Sequence, residues 1–140
     1  MAEFQKSAEF EISADDLWRR LRNFGDVSWL PGGPEPLFEG EGVGMIRSIV
    51  IPPLPTAREQ LDAVDEESRT IRYHILDGNP MPVRDYSASM QVEELGEGRS
   101  RLIWRSQWEP EGVSEDQARA AVDQLYTGVL ACAKGNLERG

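Results

Sequence analysis

Two charged residues sit where an alternating strand pattern calls for apolar ones, and they are the first candidates for chemistry in this chain. Arg47 falls in phase with Met45, Ile49 and Ile51, and Glu59 falls in phase with Leu61 and Ala63. If both point inward from neighbouring strands they can pair, because an unpaired buried charge is very costly. Such a pair acts as a structural brace, or as a donor and an acceptor for a bound molecule, and the brace is the commoner use. Tyr73 and Tyr86 share the inward phase. A phenol there packs as a wall and still offers one hydrogen bond to a ligand carbonyl or hydroxyl. Trp104, Trp108 and Met90 belong to the same wall, and Leu125 and Val129 face it from a later helical segment. Plain core packing suits all of these residues as well. Trp29 precedes Pro31-Gly32-Gly33-Pro34, which fits either a lid at a cavity mouth or an apolar anchor for its own segment.

Other reactive groups are scarce. The chain holds one histidine and one cysteine. His74 shares the parity of Arg72 on the outer face, and Cys132 lies on an apolar helical stripe, where an inert thiol is the expected state. A zinc site built from several soft ligands is excluded, and neither a metal nor a cofactor is expected. Glu66-Glu67 and Glu93-Glu94 read as solvated turns, and no serine sits in a nucleophile elbow. No catalytic signature emerges, so the catalytic residues stay unassigned.

The elements that position these side chains follow from periodicity. Phe4, Lys6, Ala8, Phe10 and Ile12 alternate with polar residues and predict a first strand. Ser13 opens a helix with Asp16 three residues on, Leu17, Trp18, Leu21 and Phe24 as its apolar stripe, and Gly25 as its stop. Asp26 is expected to cap a second short helix through Trp29. Strands are expected at Leu37-Phe38, from Met45 to Ile51, from Ala57 to Asp65 and from Thr70 to Leu76, followed by two long ones from Tyr86 and from Leu102. Gly40, Gly42 and Gly44 between the first two of these fit a bend better than a phosphate loop, since no helix follows them. From Ser114 to about Leu137 the period becomes helical, with Ala118, Ala121, Val122, Leu125, Val129, Cys132 and Ala133 as the inner stripe. Gly128 inside that helix costs about 1 kcal/mol relative to alanine. It marks close packing, space left for something else, or a tolerated glycine.

The fold class is therefore α+β: a curved antiparallel sheet of about seven strands gripping a long C-terminal helix, with two short helices after the first strand. Large aromatics beside small residues on such a sheet imply a hollow interior. With 140 residues the chain is expected to form one domain spanning residues 1–140. A net charge of −10 disfavours nucleic acid or an anionic membrane surface as partner. No apolar run approaches the ~20 residues that span a bilayer. The lone cysteine and the lack of an apolar leader at the N-terminus point to the cytoplasm.

This order of elements resembles the START-like (SRPBCC) superfamily. The echoes are Trp29-Leu30-Pro31-Gly32, Gly42-Val43-Gly44-Met45-Ile46-Arg47, Arg58-Glu59-Gln60-Leu61, Tyr73-His74-Ile75-Leu76-Asp77-Gly78 and Trp104-Arg105-Ser106-Gln107-Trp108-Glu109-Pro110. They look most like the bacterial branch described as polyketide cyclase/dehydrase and lipid transport. The resemblance covers nearly the whole chain and implies the helix-grip fold. It implies relatives that bind lipids, sterols, hormones or polyketides, a minority of which catalyse cyclisation or dehydration. The expected function is binding of a small, largely apolar, lipid- or polyketide-like molecule between sheet and helix, oriented by Arg47, Glu59, Tyr73 and Tyr86. The alternative is a cyclase or dehydratase in the same cavity, with Glu59 moving protons and Arg47 or a tyrosine stabilising an enolate. An adjacent Arg47 opposes the proton-holding that this alternative asks of Glu59. A third reading is a homodimeric interaction domain with a filled core.

Overall fold

The computed structural model describes residues 1–30 and 37–138. Seven strands form one fully antiparallel sheet: β1 (Ala2–Phe10), β2 (Leu37–Glu39), β3 (Ile46–Ile49), β4 (Ala57–Asp65), β5 (Thr70–Asp77), β6 (Val83–Gly96) and β7 (Arg99–Pro110). Their spatial order is β1-β7-β6-β5-β4-β3-β2, so the first strand pairs with the last and the others follow as a meander. Helix α1 (Ala14–Arg22) joins β1 to the remainder, and α2 (Glu115–Glu138) closes the curved sheet. This is the helix-grip arrangement.

The short helix forms for local reasons. The Ser13 hydroxyl accepts from the Asp16 backbone N–H at 3.1 Å. Acidic residues occupy the first turn and arginines the last, each complementing the helix dipole. Leu17 and Leu21 fill the core from this helix, and the Trp18 indole N–H donates to Glu66 at 2.6 Å, tying α1 to the β4–β5 turn. The helix ends at Arg22 with Asn23 as its cap, two residues before the expected stop at Gly25.

A second short helix does not form. Asp26 instead makes a side-chain turn, its carboxylate accepting from both the N–H and the hydroxyl of Ser28. The Leu30 N–H donates to the Val27 carbonyl at 3.0 Å, which closes a single turn. Four residues ahead of a proline cannot repay the cost of helix nucleation, and proline disfavours helical geometry in the residue before it. The Pro31-Gly32-Gly33-Pro34 stop lies outside the described residues.

The glycines after β2 do bend the chain: Gly40, Gly42 and Gly44 all adopt positive φ. Gly44 then donates to the Leu61 carbonyl, carrying the start of β3 onto β4. A different glycine fixes the far end of the sheet. At Gly78 a Cβ would lie 1.8 Å from the Thr56 carbonyl oxygen, so only glycine lets the loop after β5 press against the loop before β4.

Strand β6 starts at Val83, three residues earlier than simple alternation from Tyr86 indicates. A register shift lies between Arg84 and Ser87, and Asp85 there takes a φ of 53°. The irregularity lets Val83 and Tyr86 both face inward although their parities differ. Among the described residues no helix is long and apolar enough to cross a membrane.

Candidate functional site

The concave face of β3 and β4 carries the polar pair. Arg47 and Glu59 stand directly opposite each other on β3 and β4. Both are buried, at 2% and 8% exposure, and Arg47 Nε donates to Glu59 Oε1 at 2.8 Å. Arg47 Nη1 reaches the Phe24 carbonyl at 3.3 Å, and the guanidinium carbon lies 3.9 Å from the centre of the Phe24 ring. The cation is thus held by a carboxylate, a carbonyl and an aromatic face. Among the described residues nothing donates to the second carboxylate oxygen of Glu59, which leaves an acceptor for another molecule.

A second set of polar atoms lies deeper, on β5, β6, β7 and α2. The Tyr86 and Tyr126 hydroxyls hydrogen-bond each other. The Trp104 indole N–H donates to the Tyr73 hydroxyl at 3.1 Å. The Tyr126 ring stacks on Trp104, with centroids 3.5 Å apart and planes within 3°, while Phe4 meets it edge-on. Burial pushes all three phenols above their ordinary value, well above it for Tyr73 and Tyr86. Each therefore stays neutral, able both to donate and to accept.

Between these two sets lies a cavity of about 70 Å³. Its inner wall is Arg47, Glu59, Tyr73, Tyr86, Met90, Trp104 and Tyr126, and its helix side is Leu125 and Val129. Ile49, Ala57 and Ile75 extend the wall outward, and Leu30, Ile51, Leu54, Pro55, Pro80 and Met81 frame the mouth. The cavity is small: an apolar void of about 150 Å³ encloses one benzene. Among the described residues no cluster of three or more His, Cys, Asp or Glu side chains could hold a metal ion.

Eight residues singled out from sequence line this cavity: Arg47, Glu59, Tyr73, Tyr86, Met90, Trp104, Leu125 and Val129. Trp108 does not. It shares the inward parity of Trp104 but lies further along β7, fully buried, with the Arg119 guanidinium 5.7 Å from its ring. Alternation tells which face a residue takes, not how far along the strand the void extends. Trp29 does not line it either. Its ring is buried away from the lining, its N–H donates to the Asp26 carbonyl at 3.1 Å, and its own carbonyl accepts from Asn136 on α2. It anchors the turn after α1 to the end of the long helix.

Tyr126 was missed. The buried stripe of α2 runs Ala118, Val122, Tyr126, Val129, Leu130, Ala133 and Leu137, rotated from the expected one toward Tyr126. Leu125 and Cys132 are only half-buried. The unbroken four-residue step 118-122-126-130 carried the signal. His74 lies on the outer face as its parity indicates, its Nδ1 2.9 Å from Asp62.

The sequence matches the family described as polyketide cyclase/dehydrase and lipid transport over residues 1–138. No curated protein matches it by sequence. Among solved structures, an uncharacterised protein from Bacillus thuringiensis superposes with a TM-score of 0.84 at 25% identity, covering 97% of this chain and 98% of that one. The norcoclaurine synthase of Thalictrum flavum, in complex with dopamine and hydroxybenzaldehyde, gives 0.74 at 20% identity, over 99% and 84%. The di-domain ARO/CYC BexL gives 0.81 at 18%, over 99% of this chain and 47% of that one. The last two likenesses concern the fold alone. With a seven-stranded sheet gripping a long helix around an internal cavity, and a match over 1–138, the chain belongs to the polyketide cyclase/dehydrase and lipid transport family.

Proposed function

We propose that this protein is a binding module that takes a small, largely apolar molecule, lipid- or polyketide-like, into the cavity between the sheet and α2. The observation that carries the reading is a void walled by aliphatic and aromatic side chains, on which a few polar atoms converge. Pockets that hold small ligands share this composition. Apolar contact supplies the affinity. Orientation comes from Glu59 as acceptor, Arg47 as donor and the neutral tyrosine hydroxyls as either.

Catalysis by a cyclase or dehydratase in the same cavity is the rival, with Glu59 as the group that moves a proton. The geometry favours binding, because a charge-assisted hydrogen bond to Arg47 already engages Glu59, as in a structural ion pair. Native mass spectrometry of freshly purified protein tests the binding reading directly. A co-purifying small molecule, released on unfolding, is the expected result. Bare protein that also fails to bind any member of a lipid and polyketide panel would overturn it. On a molecule so identified, Glu59→Gln separates the rivals: altered preference marks a binding module, and lost turnover with binding intact marks an enzyme.

A further inference from the structure

The cavity opens onto a groove of about 490 Å³ between α2 and the loops at the mouth. Ile51, Leu54, Pro80, Met81, Leu125 and Val129 line both spaces, so the two are continuous. Beyond that shared rim the groove is floored by Ala121, Gln124 and Gly128. Among the described residues no charged side chain lines it, in a chain of net charge −10. At Gly128 the floor carries no side chain, and a Cβ built there meets no described atom within 4 Å. Gly128 is therefore not there for close packing, and it is exposed on the helix surface.

The volumes then conflict with a wholly enclosed ligand. The closed space is about 70 Å³, whereas sites for drug-sized molecules span about 300–1,000 Å³. A molecule of that size anchored on Arg47 and Glu59 must pass the rim, and the uncharged groove is the surface it meets there. We infer that the ligand is elongated, with a small polar head in the cavity and an unbranched apolar tail lying across Gly128, which sets how long a tail is accepted. This inference rests on the binding reading above and adds the shape of the ligand and its length-determining residue.

Straight-chain primary alcohols are suitable probes, since one hydroxyl both donates and accepts and carries no charge for an acidic protein to repel. Calorimetric titration with 1-hexanol and 1-decanol, on the wild type and on Gly128→Leu and Gly128→Ala, separates the outcomes. A fully buried methylene tightens binding by about fourfold. In a groove open on one side about half of that is expected, so decanol should bind wild type about tenfold or more tighter than hexanol. Leucine at 128 leans over the preceding turn, onto Gln124 and Leu125, and fills the groove. Gly128→Leu should therefore abolish the decanol advantage and leave hexanol binding within about twofold, while Gly128→Ala should keep the advantage. Equal hexanol and decanol affinities in the wild type, or an advantage that survives Gly128→Leu, would overturn the tail groove and leave cavity binding standing. Binding of neither alcohol to wild type would remove both. Thermal unfolding of each variant confirms that the leucine leaves the fold intact.

Discussion

The two ends of the concave face are built differently. Toward α1 and the C-terminal end of α2, the sheet is covered by Phe10, Leu17, Leu21, Phe24, Leu102, Ala133 and Leu137, all buried. Toward the mouth, the cavity lining includes Ile49, Ile75 and Leu125, each only half-buried, with Leu54 exposed at the rim. The closed end gains its stability from aliphatic packing. The open end keeps an ion pair and three phenols that must satisfy one another, and a void that forfeits contacts. The half that has room for a ligand is walled by buried aromatic and polar side chains and ends in a rim that is only partly buried.

The sharpest way to break that contrast is through the ion pair. Arg47→Met leaves the Glu59 carboxylate buried without its cation and should cost about 3–5 kcal/mol in urea unfolding. Replacing both, as Arg47→Met with Glu59→Leu, should restore most of that loss. If the double variant is as unstable as the single one, the pair is a necessary brace and not an orienting device kept at the open end.

Truncations at the two ends should differ next. Leu102→Ala in the closed half should cost about 2–5 kcal/mol. Leu125→Ala at the cavity wall should cost roughly 1 kcal/mol, since that side chain is already partly solvated and faces a void. Similar losses at both positions would show that the open half is as tightly packed as the closed one.

The tyrosines give the contrast a pH signature. All three tyrosines of the chain line the cavity and have raised pKa values. An unfolded phenol ionises near pH 10, whereas the folded one keeps its proton. Folding is therefore fully supported by these groups below about pH 10, and that support falls as pH rises beyond it. Phenolate absorbance should appear only with the loss of tertiary structure, in one cooperative step. A tyrosine that titrates near pH 10 in the folded protein would place its hydroxyl in free contact with water.

The smallest effect concerns Gly128. With no packing to disturb, Gly128→Ala should stabilise the helix by up to about 1 kcal/mol, read as a modest rise in Tm. A loss of stability would mean that the glycine is needed for the fold.

Period-two alternation made the strands legible, because a strand with one covered face writes that face into every second residue. It also placed Arg47 and Glu59 against each other, since a charge in an apolar phase stands out. What alternation could not convey was depth along a strand, so Trp104 and Trp108 looked equivalent although only Trp104 meets the cavity. Nor could it follow the irregularity at Asp85, where parity changes without a change of face. On α2 the buried stripe lies one residue round from the expected one, running through Tyr126 and Leu130 while Leu125 is only half-buried. The phenol is buried all the same, its hydroxyl bonded to Tyr86 and its ring stacked on Trp104. The mouth was illegible for another reason. Ile51, Leu54, Pro80 and Met81 come from loops, and loops have no period.

The central claim is that a small apolar molecule enters the open half and leaves the closed half untouched. Methyl-labelled NMR during titration with 1-hexanol reads both halves at once. The account predicts large, saturable shifts at the methyls of Met90, Leu125 and Val129, with those of Leu17, Leu21 and Leu102 unmoved. Shifts spread evenly over both sets, or none at all at saturating alcohol, would contradict it.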